Sequence, residues 1–199
     1  MKPLFIKEFL PNQIFNLCHS YLLIKYSNTN KFNLDTQTNS LVTEYADFLM
    51  ETLMDLSTPV VEQNVGKKLW PTYSYFRIYD RGDDLKIHKD RHSCEYTVAL
   101  CLGADPMDKP YEIFLGEEDE NSDYKYFDDK NNYNRYRIDH KFSMLPNNAL
   151  IFKGMEKIHW REICNHDHFM TVFLHYVDQE GPYSKYKFDE RPMLGYSQK

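Results

Sequence analysis

The stretch TYSYFRIYDRGDD, residues 72–84, alternates Tyr73, Tyr75, Arg77 and Tyr79 against Ser74, Phe76 and Ile78, and Arg81-Gly82-Asp83 then supplies a turn. Successive side chains of a strand point to opposite faces, so this period-two pattern predicts a β-strand. The rhythm before it is different. From Lys7 to about Tyr26 apolar residues fall at helical intervals (Phe9, Leu10, Ile14, Phe15, Cys18, Leu22, Leu23), with Pro11 or Asn12 as the start signal. After the polar break SNTNKFNLDTQTNS, residues 27–40, the segment LVTEYADFLMETLMDL (41–56) gathers Leu41, Tyr45, Phe48, Leu49 and Leu53 into one stripe and predicts a second amphipathic helix. A stripe of this kind reads as core.

Downstream of the turn come further strand candidates: EYTVALCL (95–102), YEIFLG (111–116), YRIDHKFSM (136–144), ALIFKG (149–154), KIHWREI (157–163) and HFMTVFLHYV (168–177). Helices followed by many short strands predict an α+β protein with a jelly-roll-like core and N-terminal helices packed on it. The expected organisation is a single domain over 1–199, with a helical part at about 7–60, a strand core at about 70–180 and a tail at 181–199. The segment GEEDENSDYKYFDDKNNYNRY (116–136) is too polar for core and too long for a simple turn, so it is expected to be a flexible hairpin or a lid.

A chain of 199 residues suits one domain with a proper core. Aspartate and glutamate number 30 against 24 lysine plus arginine, a net charge of −6, and no dense basic stripe interrupts the acidity. That disfavours a phosphate-tracking nucleic-acid surface and favours small or cationic partners. Lys7 and Glu8 break the apolar residues of MKPLFIKEFL, so the start lacks the apolar core of a signal peptide, and no run is long enough to span a bilayer. A soluble, cytoplasmic or otherwise intracellular protein without a membrane partner is expected. Cys18, Cys94, Cys101 and Cys164 lie far apart with no C-x-x-C pair, which argues for reduced, buried thiols.

The chemistry concentrates in LKIHKDRHSCEYTVALCLG (85–103), where His88 and Asp90 stand two residues apart before an apolar run. Residues i and i+2 of a strand share a face, so an imidazole nitrogen and a carboxylate oxygen can aim at one point. On its own this is half a site, and a solvated strand end is the plainer reading. The third donor is His159, which follows a glycine-containing turn and heads HWREI, where alternation turns His159 and Arg161 inward and Trp160 and Glu162 outward. Two histidines and one carboxylate match the facial triad of non-haem Fe(II) oxygenases, which leaves metal positions open; a structural zinc site would close them.

The ordered set resembles the Fe(II)/2-oxoglutarate-dependent dioxygenases of the prolyl 4-hydroxylase-like kind. The likeness runs from about Tyr73 to Asp178: the His-x-Asp pair and distal histidine, RIYDRG beside the Tyr-x-x-Gly strand of prolyl 4-hydroxylases, LPNNALIF beside their Pro-Gly-Asp-Ala-Leu-Phe turn, and FLHYVD. The resemblance implies a double-stranded β-helix fold and hydroxylation of an unactivated C–H bond by dioxygen, with 2-oxoglutarate converted to succinate and CO2. Fe(II) and 2-oxoglutarate are then the cofactor and cosubstrate, with ascorbate as reductant. It implies catalytic and metal-ligating roles for His88, Asp90 and His159 and a peptidyl, prolyl or free amino-acid-like substrate. The sequence also departs from the family. The Lys or Arg expected about ten residues beyond the distal histidine is replaced by His168, Phe169, Met170 and Thr171. A buried carboxylate needs a cationic partner. Arg161, on the inward face of its strand with His159, is the first choice; Arg77, sharing a face with Tyr79, is the second. The position of Tyr79 resembles that of the cosubstrate-binding tyrosine of the prolyl hydroxylases, and Thr171 can add a hydroxyl. Arg161 could instead pair with Glu112 or Glu162 at a strand edge.

Other constellations carry less. His166-Asp167-His168 falls where a solvent-exposed turn is expected, His175 reads as a core histidine or at most a donor behind the metal ligands, and GEEDE (116–120) lacks the spacing of a calcium loop. No nucleophile elbow, phosphate-cradling loop or dinucleotide fingerprint is present in the sequence. A cupin-like metal enzyme working without 2-oxoglutarate, or a non-catalytic jelly-roll binding protein, would share the same strand pattern.

Overall fold

The computed structural model describes residues 1–28, 37, 42–118 and 136–196. The first helix, α1 (Asn12–Ser27), begins at the expected Pro11-Asn12 signal and buries Phe15, Cys18 and Leu22. Ahead of it a three-residue strand, β1 (Leu4–Ile6), pairs with β8 (Ala149–Phe152), a strand too short to show any periodicity in the sequence. The 41–56 segment departs from the single helix expected of it. Val42–Tyr45 is a strand, β2, and the helix α2 runs from Phe48 to Val65. Tyr45 therefore belongs to a strand, Phe48 is exposed, and the buried helical face is Met50, Leu53, Met54, Ser57 and Val61. The break is local chemistry: Ala46 adopts φ 55°, and the Asp47 carboxylate caps α2 by accepting from the Leu49 and Met50 amides at 3.0 and 3.1 Å. Tyr21 and Lys25 of α1 also bind Asp47, at 2.5 and 3.0 Å, which ties the helices together at this cap.

The remaining strands are β3 (Leu69–Asp80), β4 (Leu85–His88), β5 (Tyr96–Asp105), β6 (Tyr111–Glu118), β7 (Tyr136–Met144), β9 (Ile158–Arg161) and β10 (His168–Asp178). They form two antiparallel sheets, ordered β1-β8-β5-β10-β3-β2 and β4-β9-β6-β7. Two such sheets with N-terminal helices on one of them make the expected jelly roll. The alternation read from residues 72–80 sorts the core. Phe76 and Ile78 face outward with Val98, Leu100, Val172 and Leu174, and this face packs under α1 and α2. Tyr79 faces inward with Ala99, Cys101, Phe169 and Phe173, against Ile113, Leu115 and Met144 of the second sheet. The interior between the sheets is thus lined by aromatic and small residues, and polar groups placed there are cut off from water. Trp160 does lie on the outer face of the second sheet, as alternation requires, yet it is buried, stacked on Phe114 at 5.4 Å and grouped with Ile87 and Ile158. No helix among the described residues is long and apolar enough to cross a membrane.

The segment read as a tail is held to the body by one buried guanidinium. Arg191 donates to the Glu51 carboxylate of α2, to the Thr72 carbonyl at 2.9 Å and to the Phe188 carbonyl at 2.8 Å. Glu51 and Arg191 are 2% and 7% exposed. Breaking a buried pair from one side typically costs about 3–5 kcal/mol, because the remaining charge stays desolvated. Arg191→Ala is therefore expected to lower the melting temperature by roughly 10 °C, while Arg191→Ala combined with Glu51→Gln recovers part of the loss. A shift of the single variant within about 2 °C in a thermal melt would show that the strap does not depend on this pair.

Candidate metal centre

Three of the residues marked by the sequence converge at one end of the space between the sheets. His88 ends β4 and is the register partner of His159 on β9, so the two imidazoles lie side by side with ring centroids 4.2 Å apart. Asp90 lies just past the end of β4 rather than within it, and its amide donates to the Gly154 carbonyl at 3.0 Å. The convergence of His88 and Asp90 therefore comes from this turn and not from strand alternation alone.

Each imidazole is oriented by its own backbone. His88 Nδ1 donates to the Lys86 carbonyl at 2.8 Å and His159 Nδ1 to the Lys157 carbonyl at 3.1 Å. That leaves both Nε2 atoms to face the site, and both stand 3.5 Å from the same atom, Asp90 Oδ1. The three donor atoms lie within 4.8 Å of one another. Donors about 2.1 Å from a common ion and at right angles stand about 3 Å apart, so a small contraction closes this set on a cation. His88 and His159 are buried and Asp90 is mostly so.

The electrostatics suit a cation. Burial, then the neighbouring His159, pushes His88 below its ordinary value and keeps it neutral. Burial alone would raise Asp90, but the facing histidines, His159 foremost, hold its carboxyl well below the usual carboxylate range. A neutral imidazole and an ionised carboxylate are the forms a metal needs. Behind Asp90, Thr97 Oγ1 donates to Oδ2 at 3.0 Å and lies 3.1 Å from His175 Nδ1. Burial depresses the buried His175 to about 4. Cys94 also sits near Asp90 and His175, but burial and the Asp90 charge push its thiol well above its ordinary value. The Tyr73 hydroxyl is 3.1 Å from its sulfur. A protonated thiol is a poor ligand.

Arg161 lies on β9 two residues from His159, about 7 Å along the strand. It is fully buried between the sheets, with its guanidinium 4.8 Å from the Tyr111 ring centroid, 5.3 Å from Phe169 and 5.8 Å from Tyr79. Nη1 donates to the backbone carbonyls of Tyr111 and Glu112, at 3.0 and 3.2 Å. Nε and Nη2 have no hydrogen-bond partner among the described residues. Glu112 thus meets Arg161 through its main chain, and Glu162 is exposed. Thr171, on β10, is buried with its hydroxyl equally unpartnered. Thr171 is flanked in register by Arg77 of β3 and Cys101 of β5. Arg77 is already engaged, donating to the Tyr79 hydroxyl at 3.3 Å and to Gln37 at 3.0 Å. The donor set and the orphaned guanidinium fit an iron ion with an anionic chelator.

The remaining sequence readings sort plainly. His166 is buried, not solvent-exposed, with Nε2 2.9 Å from the Lys109 carbonyl, while Asp167 is exposed and pairs with Arg81 at 2.6 Å. The lid or hairpin expected at 116–136 lies largely outside the described residues. Thr97 and Gly154 were not singled out by sequence; the signals available were the inward phase of Thr97 in EYTVALCL and a glycine in the turn before His159.

No family model matches the chain, and no curated protein matches it in sequence. Solved structures do match in fold. The epimerase SnoN in complex with Fe3+, alpha ketoglutarate and nogalamycin RO superposes with a TM-score of 0.65 at 11% identity, over 98% of this chain and 87% of that one. A Pseudomonas putida prolyl-4-hydroxylase gives a TM-score of 0.56 at 12% identity, over 87% and 91%. The viral collagen prolyl hydroxylase of Paramecium Bursaria Chlorella virus-1, a 2-oxoglutarate complex, gives 0.57 at 10% identity, over 88% and 96%. This chain is built on the jelly-roll fold of the iron- and 2-oxoglutarate-dependent oxygenases, prolyl-4-hydroxylase-like proteins among them.

Proposed function

We propose that the protein is an Fe(II)- and 2-oxoglutarate-dependent dioxygenase in which His88, Asp90 and His159 hold the metal and Arg161 binds the distal carboxylate of the cosubstrate. One observation carries this reading: a fully buried arginine, two residues along the strand from a metal-ligand candidate, has two N–H-bearing nitrogens with no partner among the described residues. A desolvated cation left uncompensated is costly, and a dicarboxylate whose keto-acid end reaches the metal would compensate it. When bound, the iron and 2-oxoglutarate supply the oxidising chemistry, consuming dioxygen and releasing succinate and CO2 as a substrate C–H is hydroxylated.

The chain's own residues bind, orient and exclude water. The backbone carbonyls of Lys86 and Lys157 hold the two Nε2 atoms toward Asp90. Thr171 and Tyr79 flank the carboxylate end, with Arg77 behind Tyr79 as the second cation. Phe169, Phe173, Ile113 and Leu115 keep the interior dry, which strengthens every ionic contact made there. Arg91, next to Asp90, lies 4.4 Å over the Tyr73 ring and pairs with Asp189 at 2.7 Å, giving the site a polar, aromatic rim. That rim suits a hydrogen-bonding substrate, either a peptidyl side chain such as prolyl or a free amino-acid-like molecule. The fold neighbours include a collagen prolyl hydroxylase and an epimerase in complex with nogalamycin RO.

The test is an anaerobic titration of the metal-free protein with Fe(II) and then 2-oxoglutarate, followed by dioxygen with ascorbate present. A weak visible charge-transfer band on adding 2-oxoglutarate, and succinate after oxygen, are expected. Iron binding without either signal would favour a cupin-like enzyme that does not use 2-oxoglutarate. Failure to bind iron at all would leave a non-catalytic jelly-roll binding protein.

A further inference from the structure

We infer that Thr97 and His175 are positioning residues that hold Asp90 as a one-oxygen metal ligand and so keep a coordination position open. The inference rests on the reading of His88, Asp90 and His159 as the metal ligands.

The two oxygens of Asp90 have different surroundings. Oδ1 faces both imidazole Nε2 atoms at 3.5 Å. Oδ2 accepts the Thr97 hydroxyl at 3.0 Å. A threonine hydroxyl has one proton, and this one is spent on Asp90. The 3.1 Å contact between Thr97 Oγ1 and His175 Nδ1 must then be donated by the imidazole, which fixes the His175 tautomer. Thr97 on β5 and His175 on β10 are register partners in the middle of the larger sheet, and both are buried. The chain of two hydrogen bonds is therefore mounted on paired central strands rather than on loops. The Tyr73 ring, 4.5 Å from His175, and the Phe173 ring, stacked at 6.4 Å, hold the imidazole from the sides.

The turn at Gly154 completes the enclosure. A Cβ added there would fall 2.0 Å from Asp90 Oδ2 and 2.6 Å from Thr97 Oγ1, so the carboxylate lies directly against the glycine. The Gly154 carbonyl meanwhile accepts the Asp90 amide at 3.0 Å. Oδ2 is thus hydrogen-bonded on one side and walled on another, and only Oδ1 is presented to the histidines. A carboxylate free at both oxygens can chelate an ion and occupy an extra position, whereas one tied back at Oδ2 cannot. The function proposed above needs open positions for a bidentate keto acid and for dioxygen.

The experiment uses the metal-free full chain and Co(II) as probe, read by calorimetric titration and by the visible absorption of the bound ion. Wild-type protein is expected to bind Co(II). Thr97→Val should weaken binding about 10–100-fold, the range typical of groups that orient a ligand, and should change the Co(II) spectrum as Oδ2 becomes free to coordinate. Thr97→Ser, which retains the hydroxyl, should return both readouts toward wild type. His175→Asn, which keeps an N–H where Nδ1 stood, should do better than His175→Leu; this pair decides the matter if Thr97→Val fails to fold. Wild-type affinity and spectrum in both Thr97→Val and His175→Leu would overturn the inference while leaving the metal-centre reading intact. Absence of Co(II) binding by the wild-type chain would remove that reading and the inference with it.

Discussion

Alanine at His88, Asp90 or His159 is expected to abolish Fe(II) binding and iron-dependent succinate release while leaving a folded jelly roll. The loss should be near complete because the site has no reserve. The two histidines are buried and Asp90 mostly so, all aimed at a common point, and Cys94, beside Asp90, is held as a thiol by burial. The fold should survive because the main cores, under the helices and between the sheets, are built from other residues. Removing Asp90 strands the Thr97 hydroxyl at a cost of about 1–3 kcal/mol, so Asp90→Ala should melt somewhat below wild type. Asp90→Glu should be nearly as damaging as alanine. Its extra methylene moves the carboxylate by about an ångström, beyond the roughly half-ångström tolerance of a preorganised site, and Gly154 blocks retreat. Iron titration beside circular dichroism separates the two claims. Wild-type iron affinity in any one alanine variant would take that residue out of the triad.

The grouping of His88, Asp90 and His159 was partly legible in the sequence because its elements carry local signals. A His-x-Asp pair before an apolar run and a histidine heading a strand after a glycine turn are such signals, although the turn at Asp90, past the end of β4, and not alternation alone brings its carboxylate in. YRIDHKFSM coincides with β7 to the residue. What stayed hidden depended on distant partners. Val42–Tyr45 has apolar residues spaced acceptably for a helix, and only pairing with β3 makes it a strand. Three-residue β1 is likewise defined by β8 alone. Thr97, Gly154 and His175 lie in three separate parts of the chain; His175 is readable as a core histidine or a donor behind the metal ligands, but nothing in the sequence announces that Thr97 and Gly154 join it behind Asp90. The burial of Arg191 against Glu51 joins residues 140 apart, which no periodicity can foretell.

Arg161→Ala is expected to weaken 2-oxoglutarate binding by roughly two to four powers of ten, the equivalent of about 3–5 kcal/mol for a buried pair broken from one side, with iron binding little changed. The direction follows from the unpaired state of the guanidinium. Nη1 is occupied by two backbone carbonyls, while Nε and Nη2 have no partner among the described residues, so two N–H donors are free to meet a carboxylate side by side. Lysine keeps the charge but loses this fork, and Arg161→Lys should fall between alanine and wild type. The same geometry sets the effect on stability. An uncompensated buried charge burdens the ligand-free protein, so replacement by an apolar side chain of similar length is close to neutral or stabilising. Arg161→Met should accordingly melt no lower than the wild-type apoprotein, yet only the wild type should gain stability when 2-oxoglutarate is added to the metal-loaded form, since a ligand stabilises in proportion to its binding. Arg77→Ala is the control. Arg77 already serves Tyr79 and Gln37, and its loss should weaken 2-oxoglutarate less than that of Arg161. The reverse order would move the cosubstrate's cation to β3. Normal 2-oxoglutarate binding in both variants would mean that the buried guanidinium serves another anion, and the cupin-like reading without 2-oxoglutarate would then account better for the open metal site.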